Sequence, residues 1–304
     1  MFISTAPIVL FVFARPEHTR HTLESLAANA LANQSDLIVY SDAARNSSEN
    51  DLVKAVRSLI DSAKGFRSVR VINRETNFGL ARNITNGVTE VLRENDRVIV
   101  LEDDMITSPH FLAYMNEALE RYANDERVAS IHGYVFPTDQ PLPEAFFLPG
   151  ADCWGWATWR RSWACFNLDG QYLLDELKRR KLIRSFDFNG AYPYLDMLKN
   201  QIEGKNDSWA IRWYASAFLA DKLTLYPGRS LVRNIGIDGS GTHCGESDSH
   251  DVELSKTPID LSNVEVVPSH RGRSAFEAFF RKSKAGLFQR VVRKVRTSLR
   301  SSVK

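Results

Sequence analysis

The sequence predicts an α/β protein whose mostly parallel sheet is covered by helices on both faces. Three observations carry that expectation. Apolar, strand-like runs alternate with helix-spaced segments from Pro7 to Ile131. One run, Val98-Ile99-Val100-Leu101, is apolar at every position, as in a strand buried on both faces. Polar or acidic residues follow successive runs: Asp42, Asn77-Phe78-Gly79 and Glu102-Asp103-Asp104. In a parallel sheet such tips share the carboxyl edge, where α/β proteins bind ligands.

The elements follow in order. Pro7 to Ala14 is a first strand, and Glu17 to Ala32 a helix with Leu23, Leu26, Ala27 and Ala30 on one face. Asp36 to Tyr40 is a second strand, ending in Ser41-Asp42. Asn50 to Ala63 is a helix with Leu52, Val56, Leu59 and Ile60 inward. Ser68 to Ile72 is a third strand, and Leu80 to Arg93 a helix after Gly79. Arg97 to Leu101 is the fourth strand, Phe111 to Ala123 the next helix and Val128 to Ile131 a short strand. Ala14-Arg15-Pro16 stands where a dinucleotide fold would carry its Gly-rich turn, so a nucleotide site here is of another type.

The second half changes character. Pro137 to Pro149 holds four prolines and reads as a connection. Trp154, Trp156, Trp159 and Trp163 then crowd into ten residues. Gln171 to Leu182, Tyr194 to Ile202 and Trp209 to Ala220 read as helices, Lys222 to Tyr226 as a strand, and Asn234 to His250 as a loop rich in Gly, Ser, Asp and His.

At 304 residues the chain can bury a sizeable core, and 43% hydrophobic with 25% charged residues is ordinary for a globular protein. Three cysteines, Cys153, Cys165 and Cys244, suggest reduced thiols and a cytosolic setting, with no zinc spacing. The apolar N-terminus has no basic residue before it and reads as a buried strand, not a signal peptide, and no apolar run is long enough to span a bilayer. The net charge of +2 hides an asymmetry: residues 271–304 carry +10 and the other 270 residues −8. That points to an anionic partner for the tail alone.

Glu102, Asp103 and Asp104 repel one another unless water or a cation offsets them, and hard carboxylate oxygens suit Mg²⁺ or Mn²⁺ held against a diphosphate. A solvated turn before the helix near Ser108-Pro109 is the competing reading. Asp42 either accepts a hydrogen bond from a base or ribose or is a plain turn residue. Gly79 allows a tight backbone path, and Arg82 could meet a phosphate at the following helix start. Asn83 is there either a binding group or a surface residue. Asp207 is a candidate base or the N-cap of the helix that follows. His243 could complete a metal shell from its loop, or stand idle in solvent. Trp154, Gly155, Trp156 and Trp209 either belong to the core or line a sugar-stacking cleft.

Together these segments resemble the GT-A glycosyltransferases, in particular the N-acetylglucosaminyltransferase I type and bacterial family-2-like relatives. PIVLFVFARP is similar to that family's nucleotide-binding start, LEDDMITSPHF to its metal segment and FFLPGADCWGWATWRRSW to its donor and acceptor cleft. NDSWAIRW resembles its Asp-Asp-Trp catalytic segment, with Ser208 in place of the second Asp, and LYPGRSLVRNIG its following strand. The resemblance runs from about Pro7 to about Gly245 and implies a GT-A, Rossmann-like fold, with a nucleotide-sugar-binding half expected over 1–135 and an acceptor and catalytic half over 136–268; the basic helical tail over 269–304 lies outside it. It implies a metal-dependent inverting transferase. Its donor would be a nucleoside-diphosphate sugar, UDP-linked by expectation, and its acceptor a hydroxyl of a glycan or lipid-linked molecule. In that pattern Asp104 and His243 match metal ligands. Glu102 and Asp103 flank the nucleotide, Asp42 matches a position near its base, and Asp207 matches the first of the paired acids; Arg15, Asn77, Gly79 and Arg82 are the further residues expected in the nucleotide-sugar site. A sugar-nucleotide nucleotidyltransferase and a non-catalytic glycan- or nucleotide-binding module are the competing readings.

The tail spaces Phe276, Phe279, Phe280, Leu287, Val291, Val295 and Leu299 among Arg and Lys. Such a basic amphipathic helix suits the anionic inner face of a cell membrane, fitting an enzyme of lipopolysaccharide or other polysaccharide synthesis. A disordered basic tail is the alternative. No nucleic-acid recognition motif accompanies it, so nucleic acid is not an expected partner.

Overall fold

The computed structural model describes residues 5–237 and 250–284. Its first half alternates as expected: β1 (Ile8–Val12), α1 (Pro16–Ala27), β2 (Asp36–Ser41), α2 (Asn50–Asp61), β3 (Ser68–Asn73), α3 (Leu80–Glu94) and β4 (Arg97–Glu102). These are followed by β5 (Met105–Thr107), α4 (Phe111–Arg121) and β6 (Val128–His132). Helices α1 and α2 are shifted slightly from expectation: Ala30 lies beyond the end of α1, and Val53, not Leu52, joins Val56 and Ile60 inside.

The second half contains β7 (Ala145–Pro149), β8 (Trp156–Trp159), α5 (Arg160–Trp163), α6 (Gly170–Arg179), α7 (Ile183–Phe186), α8 (Tyr194–Ile202), α9 (Trp209–Leu219), β9 (Leu223–Pro227) and β10 (Val232–Asn234). A last helix, α10, spans residues 270–284. The Pro-rich stretch is therefore only partly a connection, since its end is β7. That strand sits at one end of the sheet, where Pro149 removes no hydrogen bond the sheet needs.

Eight strands form one sheet in the order β3-β2-β1-β4-β8-β6-β9-β7. The half from β3 to β4 is parallel throughout. Beyond it, β8 runs antiparallel to both neighbours, β6 and β9 are parallel, and β7 is antiparallel to β9. β1 shows why both faces must be covered: Ile8, Leu10 and Val12 enter one apolar cluster with α1, α2 and α4, while Val9 and Phe11 enter another with α3 and α9. A third cluster joins β7 and β9 to α6, α8 and α10.

Helix α10 departs from the expected tail. Phe276, Phe279 and Phe280 are buried in the third cluster, with Phe276 edge-on to Phe136 at 4.9 Å. These rings belong to the domain core and do not face a membrane. Leu287, Val291, Val295 and Leu299 lie outside the described residues. Among the described residues no helix is long and apolar enough to cross a membrane.

Candidate active site

Strand register collects the chemistry-bearing residues at one edge. Val100 pairs with Trp156, and so does His132 from the other side. The exit of β4 into Glu102-Asp103-Asp104 therefore lies beside the entry to β8, residues 152–155, and the exit of β6. The ends of β1 and β2, with Arg15 and Asp42, run parallel to β4 and share the edge.

The acidic triplet is built into the fold, not left as a solvated turn. The Phe13 N–H donates to Asp103 Oδ2 at 3.2 Å. Thr22 Oγ1 donates to the Asp103 carbonyl at 2.8 Å and accepts from the Met105 N–H at 3.1 Å, which pins the turn to α1. The Arg15 guanidinium bridges two side chains, donating through Nη2 to Asp103 Oδ1 and to Asp104 Oδ2, the latter at 2.8 Å. Asp104 is also roofed. Strand β10 pairs with β5, the Ile235 N–H donates to the Asp104 carbonyl at 2.9 Å, and a Cβ on Gly236 would stand 2.1 Å from Asp104 Oδ2. A side chain there would force the Asp104 carboxylate or the Arg15 guanidinium to move.

The electrostatics follow from this packing. Burial pushes Glu102 up to about 8, with Asp104 and Asp103 adding to the rise. Burial pushes Asp103 up to about 6, against the opposing pull of Arg15. For Arg15 burial acts downward, but the two aspartates outweigh it and hold the guanidinium charged well above its ordinary range.

Asp42 is buried at 4% exposure, and its carboxylate is fully engaged. Oδ1 accepts from the Ala43 and Phe78 N–H groups, each at 2.9 Å, and Oδ2 from the Gly79 N–H at 3.0 Å and Asn77 Nδ2 at 3.2 Å. It thus clamps the turn between β3 and α3. Gly79, at φ 71° and ψ 162°, takes a conformation only glycine adopts readily. Arg82 is exposed and lies over the Phe78 ring at 4.0 Å, with Arg74 over the same ring at 4.6 Å. Asn83 is buried and accepts from Arg74 Nε at 3.0 Å, so it is not a surface residue.

The tryptophans divide. Trp156 and Trp209 are 1% and 2% exposed and stack at 5.4 Å, with Trp163 and Trp213 against them. They are core, which corrects the expectation that they line an acceptor cleft: an enclosed ring offers no face to a sugar. Gly155, at φ 62°, packs under Val232. Trp154 is partly buried, edge-on to Tyr134 at 4.7 Å.

The Trp156–Trp209 stack places the start of α9 near the edge that carries Glu102. Ser208 caps α9, accepting from the Ile211 N–H at 3.3 Å. Asp207 is therefore not the N-cap. Its side chain is 68% exposed, 3.6 Å from the Arg212 guanidinium. His243 and Cys244 lie outside the described residues.

Sequence reasoning missed Arg74, which unites Tyr40, Phe78, Asn83 and Glu90, and missed the group around Asp152. Asp152 accepts from the Cys153 N–H at 2.8 Å and from Tyr226 OH at 3.4 Å, with His132 Nε2 at 3.8 Å. His132 is fully buried, and burial lowers its affinity for a proton. Asp152 stands inside the quoted Pro-Gly…Trp segment, but nothing in its spacing marks it.

A hard cation fits one part of this lip. Asp104 Oδ1 is buried without a hydrogen-bond partner. Among the described residues no three ligating side chains are grouped as a cage, and Mg²⁺-type ions are ordinarily held by one or two carboxylates together with substrate phosphates.

The fold is that of a GT-A, Rossmann-like α/β module. The model of glycosyl transferase family 2 matches residues 8–150, the stretch that holds β1 to β4 and the acidic triplet. The match does not single out the N-acetylglucosaminyltransferase I type. No curated protein matches the chain. Among solved structures, the chain is similar to the mannosyltransferase PcManGT from Pyrobaculum calidifontis in complex with GDP-Man and Mn²⁺. Identity is 13% and the TM-score 0.35, over 45% of this chain and 36% of that one. It is also similar to residues 1–349 of S. aureus TarS, with 11% identity and a TM-score of 0.34, over 59% of this chain and 49% of that one. The chain thus spans less than half the length of either.

Proposed function

We propose that this chain is a metal-dependent inverting glycosyltransferase. It moves a sugar from a nucleoside-diphosphate sugar, a UDP-sugar being the expected donor, to a hydroxyl of a glycan or lipid-linked acceptor. One observation carries the reading: a buried acidic lip, Asp103 and Asp104, stands at the carboxyl edge of a sheet whose residues 8–150 match the family model.

Single displacement asks three things of the protein. The donor must be held, and Asp42 does this indirectly, by fixing the Asn77-Phe78-Gly79 turn with its Arg74–Phe78–Arg82 stack. The departing diphosphate must be charge-compensated: Asp104 would hold Mn²⁺ or Mg²⁺, which supplies Lewis-acid neutralisation of the phosphates. Arg15 is within reach of the same groups. The acceptor hydroxyl must lose a proton, and Asp207 takes it, with Arg212 steadying the carboxylate. Asp152 is the other carboxylate beside this edge.

Ser208 in the second position of the paired acids favours one alternative, a binding module without turnover. One assay separates the readings. Protein, Mn²⁺ and candidate nucleotide sugars are incubated, and free nucleoside diphosphate is followed. Its release in an acceptor-dependent manner supports transfer. Pyrophosphate release supports a nucleotidyltransferase, and binding without either product supports the module.

The setting we propose is the cytoplasmic face of a membrane. Residues 285–304 carry six basic residues and no acid, enough to attract anionic lipid by charge.

A further inference from the structure

Arg15 is tied to two carboxylates that the proposed function needs for a cation. Its backbone is fixed. Pro16 opens α1 at the next position and disfavours the helical conformation at Arg15, which stands at φ −130° and ψ 75°, and the Arg15 carbonyl accepts from the Thr19 N–H at 3.0 Å and Thr19 Oγ1 at 2.9 Å. Its side chain is mostly buried, at 20% exposure, but incompletely satisfied: the buried Nη1 has no partner, and a single nitrogen, Nη2, makes both carboxylate contacts. A long side chain pinned only at its root and its tip can exchange partners without disturbing the helix it caps.

The charge balance gives that exchange a direction. Three adjacent carboxylates facing one lip repel strongly in a partly buried setting, and a guanidinium spanning two of them removes much of that repulsion. A divalent cation on Asp104 would do the same with more charge. An ion on the unpartnered Oδ1 and a guanidinium on Oδ2 of the same carboxylate would stand close enough to repel each other strongly. The lip is also held in place, because the Ile235 N–H fixes the Asp104 carbonyl and Gly236 packs against its carboxylate beside Arg15.

We propose that Arg15 is the resident counter-ion of the cation-free protein, displaced from Asp104 when the divalent ion binds and thereby freed to pair with the donor's diphosphate. The inference rests on the metal-dependent reading above. It makes Arg15 a competitor of the ion in the absence of nucleotide and an ally of it in the presence of nucleotide. Ion and donor phosphates then bind cooperatively, because the guanidinium evicted by one is captured by the other.

The test is a Mn²⁺ titration of the full chain by electron paramagnetic resonance, with and without UDP or GDP, on wild type, Arg15→Gln and Arg15→Lys. Without nucleotide, Arg15→Gln should bind Mn²⁺ at least about tenfold more tightly than wild type. Adding UDP or GDP should tighten Mn²⁺ binding strongly in wild type and little in Arg15→Gln. Arg15→Lys, whose single ammonium cannot mimic a planar guanidinium, should fall between them, and it preserves the test should the neutral variant not fold. Unchanged or weaker nucleotide-free Mn²⁺ affinity in Arg15→Gln overturns the inference while leaving metal dependence standing. No Mn²⁺ binding by any of the three proteins, even with nucleotide, overturns the metal-dependent reading and this inference with it.

Discussion

The Asp42 carboxylate lies 3.0 Å from the backbone N–H of Gly79, and this contact joins the end of β2 to the first turn of α3. The same carboxylate also receives the N–H groups of Ala43 and Phe78. An amide in its place has one accepting oxygen and presents its own N–H to donors. Asp42→Asn should therefore lower stability by about 1–3 kcal/mol, read by urea denaturation. Under the proposed function, UDP or GDP affinity should fall with it in calorimetry, because the turn proposed to meet the nucleotide loosens.

Gly79 itself makes a separable prediction. A Cβ built there has nothing within 4 Å, so Gly79→Ala creates no clash. Its backbone, at φ 71° and ψ 162°, is still unfavourable for any residue with a Cβ. The substitution should cost about 1–3 kcal/mol through the backbone alone. Circular dichroism melts that match wild type would show that the turn has another conformation in solution.

Much of this was legible from the residues. Strands β1 to β4 are continuous apolar runs between helix-spaced segments, and the acidic triplet announces the edge by the abruptness with which Leu101 gives way to Glu102. What stayed hidden depended on partners distant in sequence. Arg15 meets Asp103 across 88 positions, and Trp156 is buried only because Trp209 closes over it. β7 was masked by prolines that an end strand tolerates. Phe276, Phe279 and Phe280 read as a membrane-facing stripe because the pocket that receives them is assembled from β7, α8 and other distant elements.

His132 sets an acid limit. The unfolded chain takes up a proton on this imidazole near pH 6.5, whereas the buried folded ring resists it. The contribution of this ring is therefore full above pH 6.5 and lost as pH falls from there toward the lower folded value. Protonation would also remove the acceptor for the Trp154 N–H, 3.0 Å from Nε2. His250 is shifted the same way. Glu102 and Asp103, raised to about 8 and about 6, act in the opposite sense over the same range, so the readout is the difference between proteins: the melting temperature of wild type relative to His132→Gln should fall between pH 7 and pH 5, with the variant lower at pH 7. An equally steep slope in the variant would place the titration elsewhere.

The two parts of the basic tail should behave differently when removed. A chain ending at Lys284 keeps Phe276, Phe279 and Phe280 in the core and should melt as the full chain does. A chain ending at Pro268 loses all three, and each buried Phe is worth about 3–5 kcal/mol, so it should fail to fold cooperatively. The chain ending at Lys284 should also lose sedimentation with anionic vesicles at low salt while neither form binds zwitterionic ones. Equal vesicle binding by both would remove residues 285–304 from any membrane role.

Asp207 and Ser208 are neighbours with opposite expected signatures. Asp207 is solvent-exposed and contacts only Arg212 among the described ion pairs, so Asp207→Asn should leave the melting temperature within about 1 °C, while lowering turnover by about 10²-fold or more. Ser208 caps α9 through the Ile211 N–H, so Ser208→Ala should cost about 0.5–2 kcal/mol of stability. Its turnover at a temperature well below melting should stay near wild type. Restoring an acid with Ser208→Asp keeps a capping oxygen and adds a second carboxylate one residue on. If Asp207 is the base, that variant does not rescue Asp207→Asn, because the cap contact points the new group at the Ile211 N–H. Full turnover in Asp207→Asn would instead move the base to another carboxylate, and Asp152→Asn is then the variant whose activity decides.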